Sequence, residues 1–323
     1  MFSPGDNALT IDILAFPNIT LILMASVIEP LRAANRITGR NLYSWRILSM
    51  DGKPLETTAG ISFPADAAFR PEDGDAPLFV VSSYNWADYN TAKVKRALSR
   101  AARYRPMIAG IESGAWLLAE AALLANHKAT IHWEDYDDFS SRYPDIVATR
   151  ERFVIDGKRI TTGGSIPTLD LMLEIIRRRQ GYSLALEVAR SFIYEREGGL
   201  RHSLQGPEGP GKTAIDNRVS EALRLMEDSV GEPLPLSRIA RRTGISERHL
   251  NSLFRRSLGV GPHEHYLALR LNAARRRVIE TPLPLAEIAE ATGFNSAAAF
   301  SRCYRAQFRE SATETRHRLR ERA

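Results

Sequence analysis

The sequence of 323 residues contains a single cysteine, Cys303. One thiol excludes an intramolecular disulfide, a CxxC metal pair and an evident cysteine nucleophile. Long hydrophobic runs are missing too, since the longest one near the start, 19–28, has ten residues and covers about half of a membrane span. It also lacks the basic flank and small-residue cleavage site of a secretion signal, so we expect a cytoplasmic protein with no membrane contact.

Lysine is missing from residues 214–323. This segment has 19 Arg against 13 acidic residues, a net charge of +6, whereas residues 1–213 have 25 basic and 25 acidic residues. A basic segment favours a polyphosphate partner, because each neutralised phosphate releases condensed counterions. Arginine suits bidentate contacts to guanine and phosphate, although a genome rich in G and C would give the same preference over lysine.

Two stretches of this basic segment repeat one pattern at an offset of 49 residues: LSRIARRTGIS at 236–246 and LAEIAEATGFN at 285–295. Each predicts a short amphipathic helix, a turn and a second helix, which is the outline of a helix-turn-helix. A small alanine lets the two helices pack closely, and Gly244 or Gly293 permits the left-handed backbone of a tight turn. Two copies in one basic segment predict binding to double-stranded DNA.

The second helix of each unit supplies the candidate DNA contacts. Ser246 and Ser296 are good N-cap residues, so we expect the two recognition helices to begin after them. Alanines in the second helix either contact thymine methyl groups or avoid a clash with the groove. The exposed candidates are Glu247, Arg248, Asn251, Ser252 and Arg255 in the first helix, and Ser296, Ala297, Ala298, Ser301, Arg302 and Arg305 in the second.

One long helix over 266–279 is expected to connect the two units through Leu267, Leu271 and Ala274. Two units on one rigid helix would enter successive major grooves about 34 Å apart. The alternative to phosphate contacts for the arginines of this helix is a solvated basic face. These candidates are Arg270, Arg275, Arg276 and Arg277, and the residues expected in the core of the two units are Leu250, Phe254, Phe300 and Tyr304.

Residues 1–197 alternate β-rich runs with helical periodicity, which predicts an α/β domain with a mainly parallel sheet covered by helices on both faces. Ligands bind at the carboxyl ends of the strands in such sheets. Residues 198–213 are rich in Gly and Pro and predict a linker to an all-α domain over 214–323. The predicted strands are 9–16, 43–50, 78–83, 106–111, 129–132 and a hairpin over 153–162, and the predicted helices are 21–37, 88–103, 115–124, 166–178 and 184–195.

Residues 107–119 (MIAGIESGAWLLA) predict a hydrophobic strand that turns directly into a helix. This junction resembles the nucleophile elbow of the PfpI-like, class I glutamine amidotransferase-like superfamily. The resemblance places Glu112 where that family has its cysteine, Ser26 near its acidic partner and His132 near its catalytic histidine. Without a thiolate the covalent chemistry is lost, because a carboxylate is a poor acyl-transfer nucleophile and Ser113 has no identifiable base. We therefore expect a binding pocket without catalysis, cofactor or metal.

The pairing of this domain with two helix-turn-helix units resembles the AraC-type regulators of the GlxA-like branch over nearly the whole chain. The resemblance implies a transcription regulator that senses a small nitrogen metabolite, such as an amino acid, a betaine or an amine. A homodimer is expected, and RNA polymerase is a further candidate partner. The matching motifs are VIEPLRAAN at 27–35, ATIHW at 129–133, TGGSIPTLD at 162–170, AxxxGF at 289–294 and FSRxYR at 300–305.

Glu112 is the first candidate ligand residue, because a carboxylate in a partly dehydrated cleft pairs strongly with a cationic amine. Its alternative role is to cap the helix that follows. Gly164 precedes a helix whose amides could hold a carboxylate, with a plain turn as the alternative. Aromatic faces could contact a quaternary ammonium, with packing as the alternative. The remaining candidates are Ser113, His132, Tyr84, Trp86, Trp116 and Trp133.

Two other functions stay open at this point. An active amidase or hydrolase fused to a DNA-targeting module would need a nucleophile that the elbow lacks. A constitutive architectural DNA-binding protein would leave the pocket without a purpose. An acidic cluster has no His or Cys to complete a metal site, and a solvated face is expected for it. It consists of Glu134, Asp135, Asp137 and Asp138.

Overall fold

The computed structural model describes residues 7–192 and 217–320. The described residues form two compact units, one built mainly from residues 40–180 and the other mainly from residues 217–320. The predicted linker over 198–213 lies outside the described residues, so its boundaries stay a prediction. None of the helices in the described ranges is long and apolar enough to span a bilayer.

The first unit has a mainly parallel sheet, as predicted. Its strands are β1 (Leu9–Ala15), β2 (Tyr43–Ser49), β3 (Leu55–Glu56), β4 (Ser62–Phe63), β5 (Ala67–Ala68), β6 (Leu78–Ser82), β7 (Ile108–Glu112), β8 (Lys128–Thr130), β9 (Val147–Thr149), β10 (Phe153–Asp156) and β11 (Arg159–Thr162). The order in the main sheet is β10-β11-β7-β6-β1-β2-β5, and only the β10–β11 pair is antiparallel. The chain reverses its winding direction between β1 and β6, which is where α/β sheets bind ligands.

Helices cover this sheet. They are α1 (Leu21–Thr38), α2 (Ala92–Tyr104), α3 (Gly114–Glu120), α4 (Tyr136–Arg142), α5 (Ser165–Gln180) and α6 (Tyr182–Ser191). Every residue of β6 is buried. A strand of a parallel sheet that is covered on both faces reads as a continuous hydrophobic run, and the sequence LFVVS has this character. Leu14, Val80 and Ile108 of three neighbouring strands share one core with Leu98 of α2 and Leu117 of α3.

Several helix bounds differ from the prediction. The long helix expected over 266–279 spans Pro262–Glu280, because Pro262 is favoured in the first turn of a helix. Two further differences have a local cause. The helix predicted to begin near residue 88 begins at Ala92, because the Thr91 hydroxyl caps it by accepting from the Val94 amide at 3.3 Å. The helix predicted to end at Leu124 ends at Glu120, since Ala122 has a left-handed backbone with φ of 56°. Strands β3, β4, β5 and β9 were not predicted. Two or three residues are too few to show a period.

The second unit is all-α and contains both predicted helix-turn-helix units. Its helices are α7 (Asn217–Asp228), α8 (Leu236–Arg242), α9 (Glu247–Leu258), α10 (Pro262–Glu280), α11 (Leu285–Ala291), α12 (Ala297–Phe308) and α13 (Ala312–Arg320). Helices α8 and α9 form the first unit, and α11 and α12 form the second. The expected core residues Leu250, Phe254, Phe300 and Tyr304 are all at most 1% exposed. The pattern of the repeat is therefore a packing pattern.

Candidate functional site

The elbow, Ile111–Gly114, is a sharp turn between β7 and α3. Glu112 ends the strand with φ of 54°, a left-handed conformation that costs a residue with a side chain about 1–2 kcal/mol. Gly114 then lies so close to the neighbouring strand that a Cβ there would be 2.0 Å from the Val80 carbonyl oxygen. The Glu112 amide donates to Thr162 Oγ1 at 3.2 Å, which holds the strained residue in place. The geometry is that of a nucleophile elbow, with a carboxylate at its apex.

The Glu112 carboxyl group is half-buried among polar groups from neighbouring strand ends. Burial raises the pKa of Glu112 above its ordinary value; the hydroxyls of Ser83 and Ser165 and the charge of His132 oppose this effect, and Asp135 adds to it. Ser83 follows β6, and Ser165 begins α5. The site therefore has an acidic centre with hydroxyl and imidazole groups around it, and a cation could replace the lost hydration of the carboxylate.

Ser83, Ser165 and Asp135 were not proposed as contacts of Glu112 from the sequence. The register between β6 and β7 pairs Ser82 with Glu112, so the residue after β6 must lie beside the elbow. Knowledge of the strand order would have identified Ser83. Asp135 was visible only as a member of the acidic cluster, and in the structure it accepts a hydrogen bond from Trp116 Nε1 at 3.2 Å.

The aromatic candidates divide into two groups, and the proposed ligand role of Trp116 is wrong. Its side chain is 4% exposed, lies in the core and stacks on Trp86 with ring centroids 4.7 Å apart and an interplanar angle of 3°. Trp116 also packs edge-on against Phe139 and Tyr143, so packing accounts for this residue, whereas Trp86 is half-buried and uses one face in the stack. The side chains of Tyr84 and Trp133 are 63% and 72% exposed, so their rings face solvent.

The other pocket candidates differ in their burial and in their neighbours. His132 is half-buried, and its Nδ1 lies 3.5 Å from the Glu134 carboxylate. Gly164 has φ of 141°, and a Cβ there would lie 3.5 Å from the His132 ring. Ser113 is buried and makes no side-chain cap with α3. Ser26, the residue nearest to the acidic position of the resemblance, is buried on α1.

The two recognition helices are α9 and α12. Ser246 Oγ accepts from the His249 amide at 3.3 Å, and Ser296 Oγ accepts from the Ala299 amide at 3.2 Å, so both predicted caps are present. Every candidate side chain on the two helices is exposed while the opposite face is buried. The exposed candidates are Glu247, Arg248, Asn251, Ser252, Arg255, Ser296, Ala297, Ala298, Ser301, Arg302 and Arg305.

Known proteins share both halves of this arrangement. The DJ-1/PfpI family matches residues 24–178, and a helix-turn-helix domain family matches residues 239–318. The HTH-type transcriptional regulator CdhR of Pseudomonas aeruginosa is 36% identical over 304 residues, which cover 94% of this chain and 90% of that protein. The HTH-type transcriptional regulator GlxA of Rhizobium meliloti is 34% identical over 328 residues, 98% of each chain. The chain belongs to the AraC-type transcriptional regulators with a DJ-1/PfpI domain.

A solved structure shares part of the regulator's fold. The crystal structure of an AraC family transcriptional regulator from Pseudomonas putida superposes with a TM-score of 0.50 at 22% identity and covers 57% of this chain and 99% of that chain. At this identity the match concerns the fold. The expected function class, a DNA-binding transcription regulator with a sensing domain, is confirmed by the curated relatives.

Three of the four arginines proposed for phosphate contacts in α10 of the regulator have other roles. Arg270 donates from Nε to the Thr292 carbonyl at 2.8 Å and from Nη2 to the Gly293 carbonyl, and it lies over the Phe294 ring at 4.3 Å. Burial lowers the pKa of Arg270, as expected for a guanidinium inside the fold. Arg270 therefore fixes the turn of the second helix-turn-helix unit, a role in the fold that the sequence did not predict.

The other arginines of α10 divide in the same way. Arg275 is buried and pairs with Glu310 at 3.0 Å, and Arg277 donates to the Ala291 carbonyl at 2.7 Å. Both satisfy groups inside the regulator. Arg276 is exposed and is the one of these four that stays a phosphate candidate.

The two helix-turn-helix units of the regulator meet at a junction, defined by loop 229–235 and turn 292–294. A Cβ on Gly293 would lie 2.4 Å from the Pro233 ring and 3.0 Å from the Val230 carbonyl oxygen. Tyr266 OH, one helical turn before Arg270, donates to the Ser229 carbonyl at 2.9 Å and accepts from the Leu234 amide at 3.2 Å. Two residues of α10, Tyr266 and Arg270, thus hold the loop that precedes α8 and the turn of the second unit.

Proposed function

We propose that the regulator senses a small cationic nitrogen metabolite at Glu112 and that binding changes how its two recognition helices occupy DNA. The observation that carries the proposal is the elbow, where a strained, half-buried carboxylate stands at the apex used for nucleophiles. Backbone strain of this kind persists at functional sites because the surrounding structure holds it. A glycine would adopt this left-handed backbone without strain, so the conformation alone does not explain a glutamate at this position.

The same carboxylate supports a pocket without catalysis. Covalent acyl transfer needs a thiolate or a hydroxyl activated by a base, and Ser113 beside Glu112 is buried and lies at the start of α3. The single cysteine, Cys303, is on α12. We therefore propose that the pocket binds its ligand reversibly and that the regulator has no amidase activity.

The geometry favours an amine or amino acid over a fully methylated ammonium. A quaternary ammonium has no N–H donor and is recognised by several aromatic faces together, whereas Trp86 and Trp116 stack one face on each other and the exposed faces left are those of Tyr84 and Trp133. Glu112, Ser83 and Asp135 instead supply oxygen acceptors for N–H donors. A thermal-shift screen of amino acids, betaines and amines tests the sensing function. No shift with any member of the panel would contradict it.

For DNA, we propose that α9 and α12 contact base edges and that Arg276 contacts phosphate. Arg302→Ala should relax sequence preference at one position and cost about 1–3 kcal/mol on the preferred site, because a bidentate contact to guanine is lost.

Arg276→Ala should weaken binding to all sequences alike and reduce the salt slope by about 1. Mobility shifts at several salt concentrations measure both, and DNA retention that is indifferent to salt would contradict the assignment. A homodimer, with RNA polymerase as a further partner, belongs to the same proposal.

A further inference from the structure

The solvent face of α2 in the first unit carries one row of cations. We call Lys93, Arg96, Arg100 and Arg103 the basic stripe. Their spacings of 3, 4 and 3 residues place all four on one side of the helix over about 15 Å, at 1.5 Å per residue. They are exposed, and the opposite face of α2 packs into the core.

The stability of α2 does not explain this charge. The helix AKVKRALSRAARY contains no acidic residue. Its first turn carries Lys93 and Lys95, and cations at a helix N-terminus oppose the macrodipole. Arg100 pairs with Glu72, and Lys95 pairs with Glu120. Within the described ranges, Lys93, Arg96 and Arg103 form no ion pair, so their charge is available to an external anion.

The stripe also borders a concave surface. The groove is lined by Lys95, Arg96, Ser99, Arg100, Arg103, Tyr104, Glu120, Ala121 and Ala122. The one carboxylate in this lining, Glu120, is paired with Lys95 at 3.0 Å. The Tyr104 side chain is 52% exposed. A groove that offers several guanidinium groups and a phenol fits a chain of phosphates better than a single small anion, because the donors are spread along its length.

We propose that the basic stripe binds the phosphate backbone of DNA that flanks the segment contacted by the helix-turn-helix units. The proposal rests on the proposed DNA-binding function. Duplex DNA carries one negative charge per about 1.7 Å of its axis, so a row of about 15 Å faces several phosphates. Attachment to the same chain keeps this surface at high effective concentration near bound DNA. The first unit then adds affinity without adding sequence preference.

The test uses the full-length chain with K93Q/R96Q/R103Q and random-sequence duplexes of two lengths, 20 and 60 base pairs. Arg100 and Lys95 are retained because they hold ion pairs. The matched control is K53Q/R70Q/K158Q, which removes three exposed cations from other parts of the same unit; among the residues that the structure describes, only Lys53 of these three has an ion-pair partner, the exposed Asp51. On the long duplex the stripe variant should lose about 10- to 100-fold in affinity and about 2–3 from the salt slope. The control variant and the short duplex should change less than about threefold by the same relation.

Equal affinities of the stripe variant, control and parent for the long duplex would overturn the proposal while leaving the DNA-binding function intact. A parent that binds neither duplex would overturn both. A last experiment measures the binding of labelled poly-glutamate to the parent and to the stripe variant. If the stripe variant loses binding to it but keeps its affinity for the long duplex, the surface binds an acidic polypeptide and the proposal is wrong.

Discussion

Gly293→Ala should lower the stability of the C-terminal unit by about 2–5 kcal/mol, whereas Gly244→Ala should cost only about 1–2 kcal/mol. The two glycines occupy the same place in the repeat and have nearly the same backbone, with φ of 74° and 71°. They share the cost of a left-handed alanine. Only at Gly293 would the new methyl group meet Pro233 at 2.4 Å, while Gly244 has nothing within 4 Å. The difference between the variants therefore isolates the junction.

Urea unfolding of the full chain separates the two units by probe. The four tryptophans are at positions 45, 86, 116 and 133, so their fluorescence follows the first unit. Circular dichroism also includes the helices of the second. Gly293→Ala should shift the dichroism transition and leave the fluorescence transition in place. Equal losses for the two glycine variants would show that the contact between turn and loop contributes nothing.

Glu112→Gln should abolish the thermal shift produced by an amine while leaving the empty protein as stable as the parent, or more so, at pH 7. The carboxylate is the proposed partner of the cation, and its ionisation is opposed by burial. Saturation at 100 times the Kd gives about 2.7 kcal/mol of ligand stabilisation, and this is the amount that should disappear. The substitution replaces one carboxylate oxygen with an amide nitrogen of similar size, so the shape of the site is kept.

The pH dependence separates the two effects. A pKa raised above the ordinary 4.5 means that Glu112 favours the empty fold when protonated. That contribution is complete below about pH 4.5 and is lost as the pH rises through the raised value. Amine binding runs in the opposite direction, because it needs the carboxylate. Glu134→Gln, which removes an exposed carboxylate near the same edge, is the matched control. If the amine still raises the melting temperature of Glu112→Gln but not that of Glu134→Gln, the amine binds at Glu134 and the proposed site is wrong.

The helix-turn-helix units were predictable from the sequence because the same pattern of core residues occurs in two copies. Leu250 and Phe300, or Phe254 and Tyr304, fill equivalent core positions, and the serine caps mark where each recognition helix begins. Periodicity and caps are local signals. The elbow was predicted for a similar reason, since a buried strand leads directly into a helix.

Contacts between distant segments were not predictable. A tryptophan beside the elbow suggested an aromatic face for a ligand, but Trp116 meets Trp86 from another loop. The basic character of its helix predicts a DNA contact for Arg270, whereas in the structure this side chain donates to the carbonyls of Thr292 and Gly293. The composition of a basic helix does not show which guanidinium groups satisfy the fold. Strand order, which single-sequence patterns do not give, places Ser83 next to Glu112.

The most direct test of the central claim measures DNA affinity with and without the amine that gives the largest thermal shift, in the parent and in Glu112→Gln. Linkage requires that an effector which changes DNA affinity binds differently to the free and DNA-bound forms. We expect a change of about 5- to 150-fold in the parent, typical of such coupling, and none in the variant. The same DNA affinity in the parent at zero and saturating amine would contradict a regulator whose elbow carboxylate controls its DNA-binding unit.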